Sequence, residues 1–135
     1  MIRVVLDTTV LVAAVISPDG PNAQLFDLIL DRKIRPYVTE RVLEEYTAVF
    51  NYEHLKHLNK TRIARFGGIL NRAAVKVKPG GRLRISSHDD DNRVYECAAA
   101  AKADYIVTEN RKHFKDPYKT TKIVNARELL AVLKV

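Results

Sequence analysis

Among the 16 acidic side chains of a chain with 23 basic ones, three groups stand out by their setting. Asp7 directly follows a short apolar run, Glu44 and Glu45 lie together inside a helical pattern, and Asp89, Asp90 and Asp91 precede an alanine-rich stretch. A carboxylate against apolar sequence is costly unless it accepts backbone hydrogen bonds from a turn, pairs with a base or binds a cation. Helix capping explains one acid of the 89–91 run, because a first helical turn offers free N–H groups and the positive end of the dipole. Three in succession exceed that need, and like charges packed together are easiest to tolerate beside a cation. A cluster of Asp7, one glutamate and one aspartate of the run is an all-oxygen donor set, suited to Mg²⁺ or Mn²⁺ rather than Zn²⁺. Hard cations of that kind polarise phosphoryl oxygens, acidify water and stabilise a leaving oxygen, which is phosphodiester chemistry.

For these acids to meet, the chain has to bring distant segments together. Residues 2–6 form a short, β-branched apolar run that fits a central parallel strand buried on both faces. Residues 17–21 (SPDGP) are a turn signal, followed by Leu25, Phe26, Leu28 and Ile29 at helical spacing. Further strands are expected at 35–38, 75–77 (an edge strand), 105–107 and 122–124. Thr39 can cap a helix through Val42, Tyr46 and Val49, and a helix over Ile63, Phe66, Ile69 and Leu70 contains Gly67 and Gly68, which allow close packing or mark a bend. Another helix carries Val94, Cys97, Ala98 and Ala101, and Asn125 with Glu128 forms a capping-box variant opening a last helix at 126–133. Strands alternating with helices imply an α/β fold, a three-layer α/β/α sandwich with a mainly parallel central sheet and Rossmann-like topology.

In open parallel sheets ligands bind beyond the carboxyl ends of the strands, which is where Asp7 falls. At about 100° per residue, Glu45 lies beside the apolar stripe of its helix while Glu44 points to solvent, so only Glu45 can reach Asp7. The competing role for Glu45 is a surface pair with Arg41, a contact of a few tenths of a kcal/mol. Periodicity does not choose between Asp90 and Asp91, since both flank the stripe of theirs.

The 135 residues, 47% hydrophobic, suit one domain spanning 1–135 with its own core and no need of disulfides or a structural metal. Cys97, the only cysteine, reads as buried packing. No apolar run reaches the roughly 18 residues of a membrane span, and no signal-peptide pattern opens the chain, so a cytoplasmic protein is expected. The net charge of +7 and a pI near 9.6 favour polyanionic partners through counterion release, besides their value for solubility. No glycine-rich phosphate loop is present. Thr9 stands where an aspartyl phosphatase needs its second acid. His54 and His57 lack further ligands for a zinc site.

Three stretches, 5–13 (VLDTTVLVA), 42–50 (VLEEYTAVF) and 91–110 (DNRVYECAAAAKADYIVTEN), taken in order and spacing, resemble the PIN-domain ribonucleases, and more narrowly the bacterial toxins of toxin–antitoxin pairs. The resemblance implies that Asp7, Glu45 and Asp91 are the catalytic and metal-holding acids, Asp91 being selected by its distance to Val107 and Thr108. It implies RNA hydrolysis with Mg²⁺ or Mn²⁺, water attacking phosphorus in line to leave 5′-phosphate and 3′-hydroxyl ends, together with a homodimer and an antitoxin partner. Two positions depart from the family pattern. Thr9 replaces the usual Asn, with a hydroxyl still able to support Asp7. Asn110 replaces the fourth acid of a Thr-Gly-Asp signature, here Thr108, Glu109 and Asn110, which cuts the charge of the site and weakens a second metal more than a first. Thr108 is expected to orient the acids, and Glu109 to compensate if it turns inward.

Arg93, Arg111, Lys112 and Lys115, with His113 among them, are the candidates for holding the RNA backbone, while Tyr37, Tyr46 and Tyr52 read as packing. The alternative to catalysis is a PIN-like module that binds RNA or protein without cutting, which the Asn110 substitution favours. Either way the sequence predicts charge segregation: acids gathered at one site of a basic protein.

Overall fold

β1 (Ile2–Leu6) is the strand on which the sheet is built, because Val4, Val5 and Leu6 are wholly buried and can be covered from both sides. The computed structural model describes residues 1–135. After β1 come α1 (Thr8–Ile16), α2 (Pro21–Leu30), β2 (Ile34–Val38), α3 (Glu40–Ala48), two 3₁₀ turns, α4 (Lys60–Ala73), β3 (Val75–Lys76), α5 (Asp89–Ala101), β4 (Tyr105–Val107), β5 (Lys122–Val124) and α6 (Ala126–Val132). The five strands are parallel throughout, in the order β3-β2-β1-β4-β5. Helices α1, α2, α4 and α6 pack with one another on one face, and α5 lies across β1, β2 and β4 on the other. The fold is an α/β/α sandwich, as the alternation of elements predicts.

From β1 the chain steps outward through β2 and β3, then returns to add β4 and β5 on the far side. The order therefore reverses between β1 and β4, the place where open parallel sheets leave a crevice. Leu6 pairs in register with Val107, so Asp7 and Thr108 leave the sheet side by side.

Helix α1 was not expected. Its sequence TTVLVAAVI is apolar almost all round, so it shows no amphipathic period, and Val10, Leu11, Ala14 and Val15 are buried between β1 and the neighbouring helices. β3 is shorter than expected: Val77 lies outside the strand, although its N–H still bonds the Val38 carbonyl at 2.8 Å. The caps behave as read: the Thr39 side chain accepts from Val42 N–H, and Asn125 and Glu128 complete a capping box. Cys97 is buried, and burial pushes its thiol up to about 12, so it packs rather than reacts.

α5 also organises the loop ahead of it. The Asn92 side chain accepts from Ile85 and Ser86 N–H and donates to the Ser86 carbonyl, while Glu96 accepts from Leu83 N–H. A loop without strand partners is thus held by side chains, which satisfies backbone groups the sheet does not reach.

Gly67 and Gly68 neither bend α4 nor bring it close to a neighbour. The helix runs unbroken, a Cβ on Gly67 would meet nothing within 4 Å, and one on Gly68 would meet only the Arg72 side chain. Gly67→Ala is therefore expected to stabilise the protein by about 0.5–1 kcal/mol, the helix-propensity gain. A higher denaturant midpoint with an unchanged slope would show it, and a lower midpoint would mean that residue 67 faces something that needs the space.

Candidate active site

At the carboxyl end of β1, Asp7 is 7% exposed and occupies the N-cap position of α1 without its side chain capping a backbone N–H of that helix. Its backbone N–H instead prolongs the ladder to the Val107 carbonyl, at 2.9 Å. The Oδ2 atom accepts from two hydroxyls, Thr9 Oγ1 at 2.7 Å and Thr108 Oγ1 at 2.9 Å. Each hydroxyl is in turn oriented by a backbone N–H: Glu109 donates to Thr9 Oγ1 and Asn110 to Thr108 Oγ1, both at 3.0 Å. A hydroxyl whose lone pair is taken by an N–H has its own hydrogen free for the carboxylate. The network holds one oxygen of Asp7 rigidly while the side chain borders a cavity of about 260 Å³.

Glu45 reaches the same cavity through its neighbour. The Tyr46 hydroxyl, buried and therefore held protonated, donates to the Leu6 carbonyl at 2.5 Å and pins α3 to the end of β1. One residue earlier, Glu45 is half-buried at the cavity, whereas Glu44 is exposed and lies 4.0 Å from Arg41. Arg41 also pairs with Asp90 at 3.5 Å, so it does not form the surface pair that competed for Glu45.

At the start of α5 the structure separates the two aspartates that periodicity left open. Asp91 is 7% exposed; its Oδ2 accepts from Ser86 Oγ at 3.3 Å and lies 3.4 Å from His113 Nδ1. Asp90 stands at the exposed rim. The cavity wall thus gathers Asp7, Glu45, Asp90, Asp91 and Asn110, with Thr9, His88 and His113 among them. Burial raises the Glu45 pKa above the ordinary glutamate value, and Asp90 adds to the rise. Burial likewise raises that of Asp91, with Asp7 contributing, and the His113 charge opposes it. Burial is the larger cause for both groups, and the neighbouring carboxylates add to it.

The donor set, four carboxylates and an amide oxygen, fits a hard divalent cation by its chemistry. No three of these groups converge closely enough in this structure to enclose an ion. Asp7 is fixed, whereas Glu45 and Asp90 sit towards the rim, where a change of rotamer is accessible.

Two expectations change. Arg93, a candidate for the RNA backbone, is 9% exposed and its guanidinium is held by Glu96 at 2.7 Å and Asp89 at 3.3 Å, so its charge is already paired within α5. Glu109 does not turn inward: its Oε1 lies 3.4 Å from Ala126 N, at the start of α6. Arg111 is half-exposed and paired with Glu128, and Lys112 and Lys115 are exposed. Ser86, His88 and Asn92 were missed by sequence reasoning. A polar loop of this kind carries no periodicity to mark them.

A PIN domain family model matches residues 3–112. An uncharacterized protein of Methanocaldococcus jannaschii, MJ1680, is 30% identical over 128 residues, covering 92% of this chain and 82% of the relative. Among solved structures, a chain of VapBC2 from Rickettsia felis, crystallised with a DNA fragment from its promoter, superposes with a TM-score of 0.60 at 16% identity, covering 92% of this chain and 98% of that one. At that identity the likeness is one of fold.

A carboxylate whose pKa is raised on folding binds its proton more tightly in the native state, so it costs stability above that pKa and nothing below the unfolded value. Glu45→Gln should therefore be more stable than the wild type at pH 7 without divalent metal. The advantage should shrink as pH falls through the raised native value and vanish below the ordinary glutamate range. Denaturation midpoints of both proteins across that window check this, and a Gln variant less stable at pH 7 would show that the carboxylate is held by favourable contacts.

Proposed function

The chain belongs to the PIN-domain family, whose members are in general nucleases, and from that premise we propose that it is a metal-dependent endoribonuclease acting through Asp7, Glu45 and Asp91. The observation that carries the reading is the arrival of these three acids, from three separate segments, on one cavity at the β1/β4 reversal.

Asp7, Glu45 and Asp91 would hold Mg²⁺ or Mn²⁺, which when bound offsets their charge, polarises a phosphoryl oxygen and acidifies water. Asp7 supplies a carboxylate whose direction is fixed by Thr9 and Thr108, so little reorganisation is needed when substrate arrives. Glu45, half-buried on the cavity wall beside Asp90, supplies a second carboxylate to the set. Asp91 is steadied by Ser86 and His113. In-line attack then leaves 5′-phosphate and 3′-hydroxyl ends. Exposed Lys112, Lys115 and Arg111 attract the RNA backbone.

Asn110 brings a neutral amide to the wall where the family resemblance expects an acid, which makes a second cation weaker and the enzyme slow or selective. The likeness to VapBC2 supports the toxin role, with an antitoxin as partner. Asn110 also favours a second reading, a module that binds RNA or protein without cutting.

With Mn²⁺ the wild type should cleave RNA, EDTA should abolish cleavage, and Asp7→Asn should lower the rate about 100-fold or more. Equal cutting by both proteins would assign the activity to a contaminant. Mn²⁺ at 100 times its dissociation constant should stabilise the wild type by about 2.7 kcal/mol and Asp7→Asn much less. A wild type that neither cuts nor responds to metal would support the non-catalytic module.

A further inference from the structure

Two imidazoles separate the acidic cavity from a second one. The His88 and His113 rings are stacked, with centroids 4.2 Å apart and planes 21° from parallel. Both border the acidic cavity and also an adjoining space of about 290 Å³, whose other walls include Lys112, Lys115, Ser87 and one acid, Asp116. On one side of the pair the wall is carboxylate, and on the other it is mainly cationic and polar.

Neither ring belongs to a drifting segment. His88 follows Ser86, whose N–H and carbonyl are both held by Asn92, and its own N–H donates to Ser86 Oγ at 3.1 Å. On the other side Phe114 is 1% exposed and packs on Tyr95, whose hydroxyl donates to the Asp116 carbonyl at 2.7 Å. With Phe114 plugged into the core, its neighbours His113 and Lys115 face outward. His88 is exposed, and Lys112 and Lys115 carry no ion pair.

An exposed imidazole ring beside two unpaired ammonium groups matches the two parts of a nucleotide, a planar base and a phosphate. We propose that the His88–His113 stack, with Lys112 and Lys115, is a subsite for one unpaired nucleotide of single-stranded RNA, next to the nucleotide whose phosphate enters the acidic cavity. The base extends the stack on His88 and its phosphate meets the lysines. A base in a duplex has both faces covered by its neighbours and cannot enter, so the subsite makes the protein prefer single strands. The subsite rests on the ribonuclease reading for its place beside the scissile bond, but binding can be read without cleavage.

The experiment is fluorescence anisotropy with end-labelled RNA octamers on the Asp7→Asn protein, comparing a single strand, the same strand in a duplex, and single strands with one abasic nucleotide moved along the chain. His88→Ala on that background should weaken single-strand binding about tenfold and leave duplex binding unchanged. His88→Phe should restore it, because Phe keeps a stacking face. One abasic position should weaken the parent equally and add nothing to His88→Ala. His113→Asn, which keeps a donor near Asp91 but loses the ring, should resemble His88→Ala. Unchanged binding in His88→Ala, or a flat abasic scan, overturns the subsite. It does so without touching the ribonuclease reading if cleavage by the wild type still depends on Asp7. Absence of binding to every octamer, together with no Asp7-dependent cleavage by the wild type, overturns both.

Discussion

The register between β1 and β4 is the constraint on which the rest of the site depends. Leu6 opposite Val107 makes Asp7 and Thr108 neighbours across the reversal of strand order. Only then can the Thr108 hydroxyl reach a carboxylate 101 residues away, and the Glu109 N–H reach Thr9. Side chains alternate along a strand, so a slip by one residue would turn Thr108 away and give Asp7 a buried apolar neighbour. The buried cores of both strands oppose that slip, since it would also misplace Val4, Leu6, Ile106 and Val107. The packing of the sheet therefore holds the geometry of the acid.

Around that anchor each further acid is delivered by a different device. Tyr46 ties α3 to the last carbonyl of β1, so the backbone that carries Glu45 cannot shift without breaking a buried hydrogen bond, while its side chain keeps its rotamers. Asp91 comes on the first turn of α5, whose following residues, Asn92, Arg93 and Glu96, turn inward to hold one another and the preceding loop. The polar side chains on α5 are thus divided between chemistry and scaffolding along a single helix. The raised pKa values of Glu45 and Asp91 are the energetic trace of the arrangement, a stability cost accepted at a site that gathers like charge.

Charge is segregated over short distances. The acids border one cavity, Lys112 and Lys115 border the next, and His88 and His113 are common to both. A net charge of +7 attracts a polyanion from any direction, while this division gives the attracted chain an orientation at the cleft.

Much of this was legible in the residues themselves. Short apolar runs rich in β-branched residues mark the strands, because a central parallel strand is covered on both faces, and period-3.6 patterns mark the amphipathic helices, whose buried stripe must recur. The direction of the stripe in α3 separates Glu45 from Glu44 for the same reason, and the spacing of three acidic segments carries the family resemblance. Helix α1 escaped because an element apolar on nearly all sides has no period to detect. Periodicity left Asp90 and Asp91 open and the family spacing chose Asp91, but only the tertiary structure could turn Arg93 inward to Glu96, send Glu109 to α6 and stack His88 on His113. Each of these depends on which distant backbone lies opposite, and local sequence specifies the face of an element but not its neighbour.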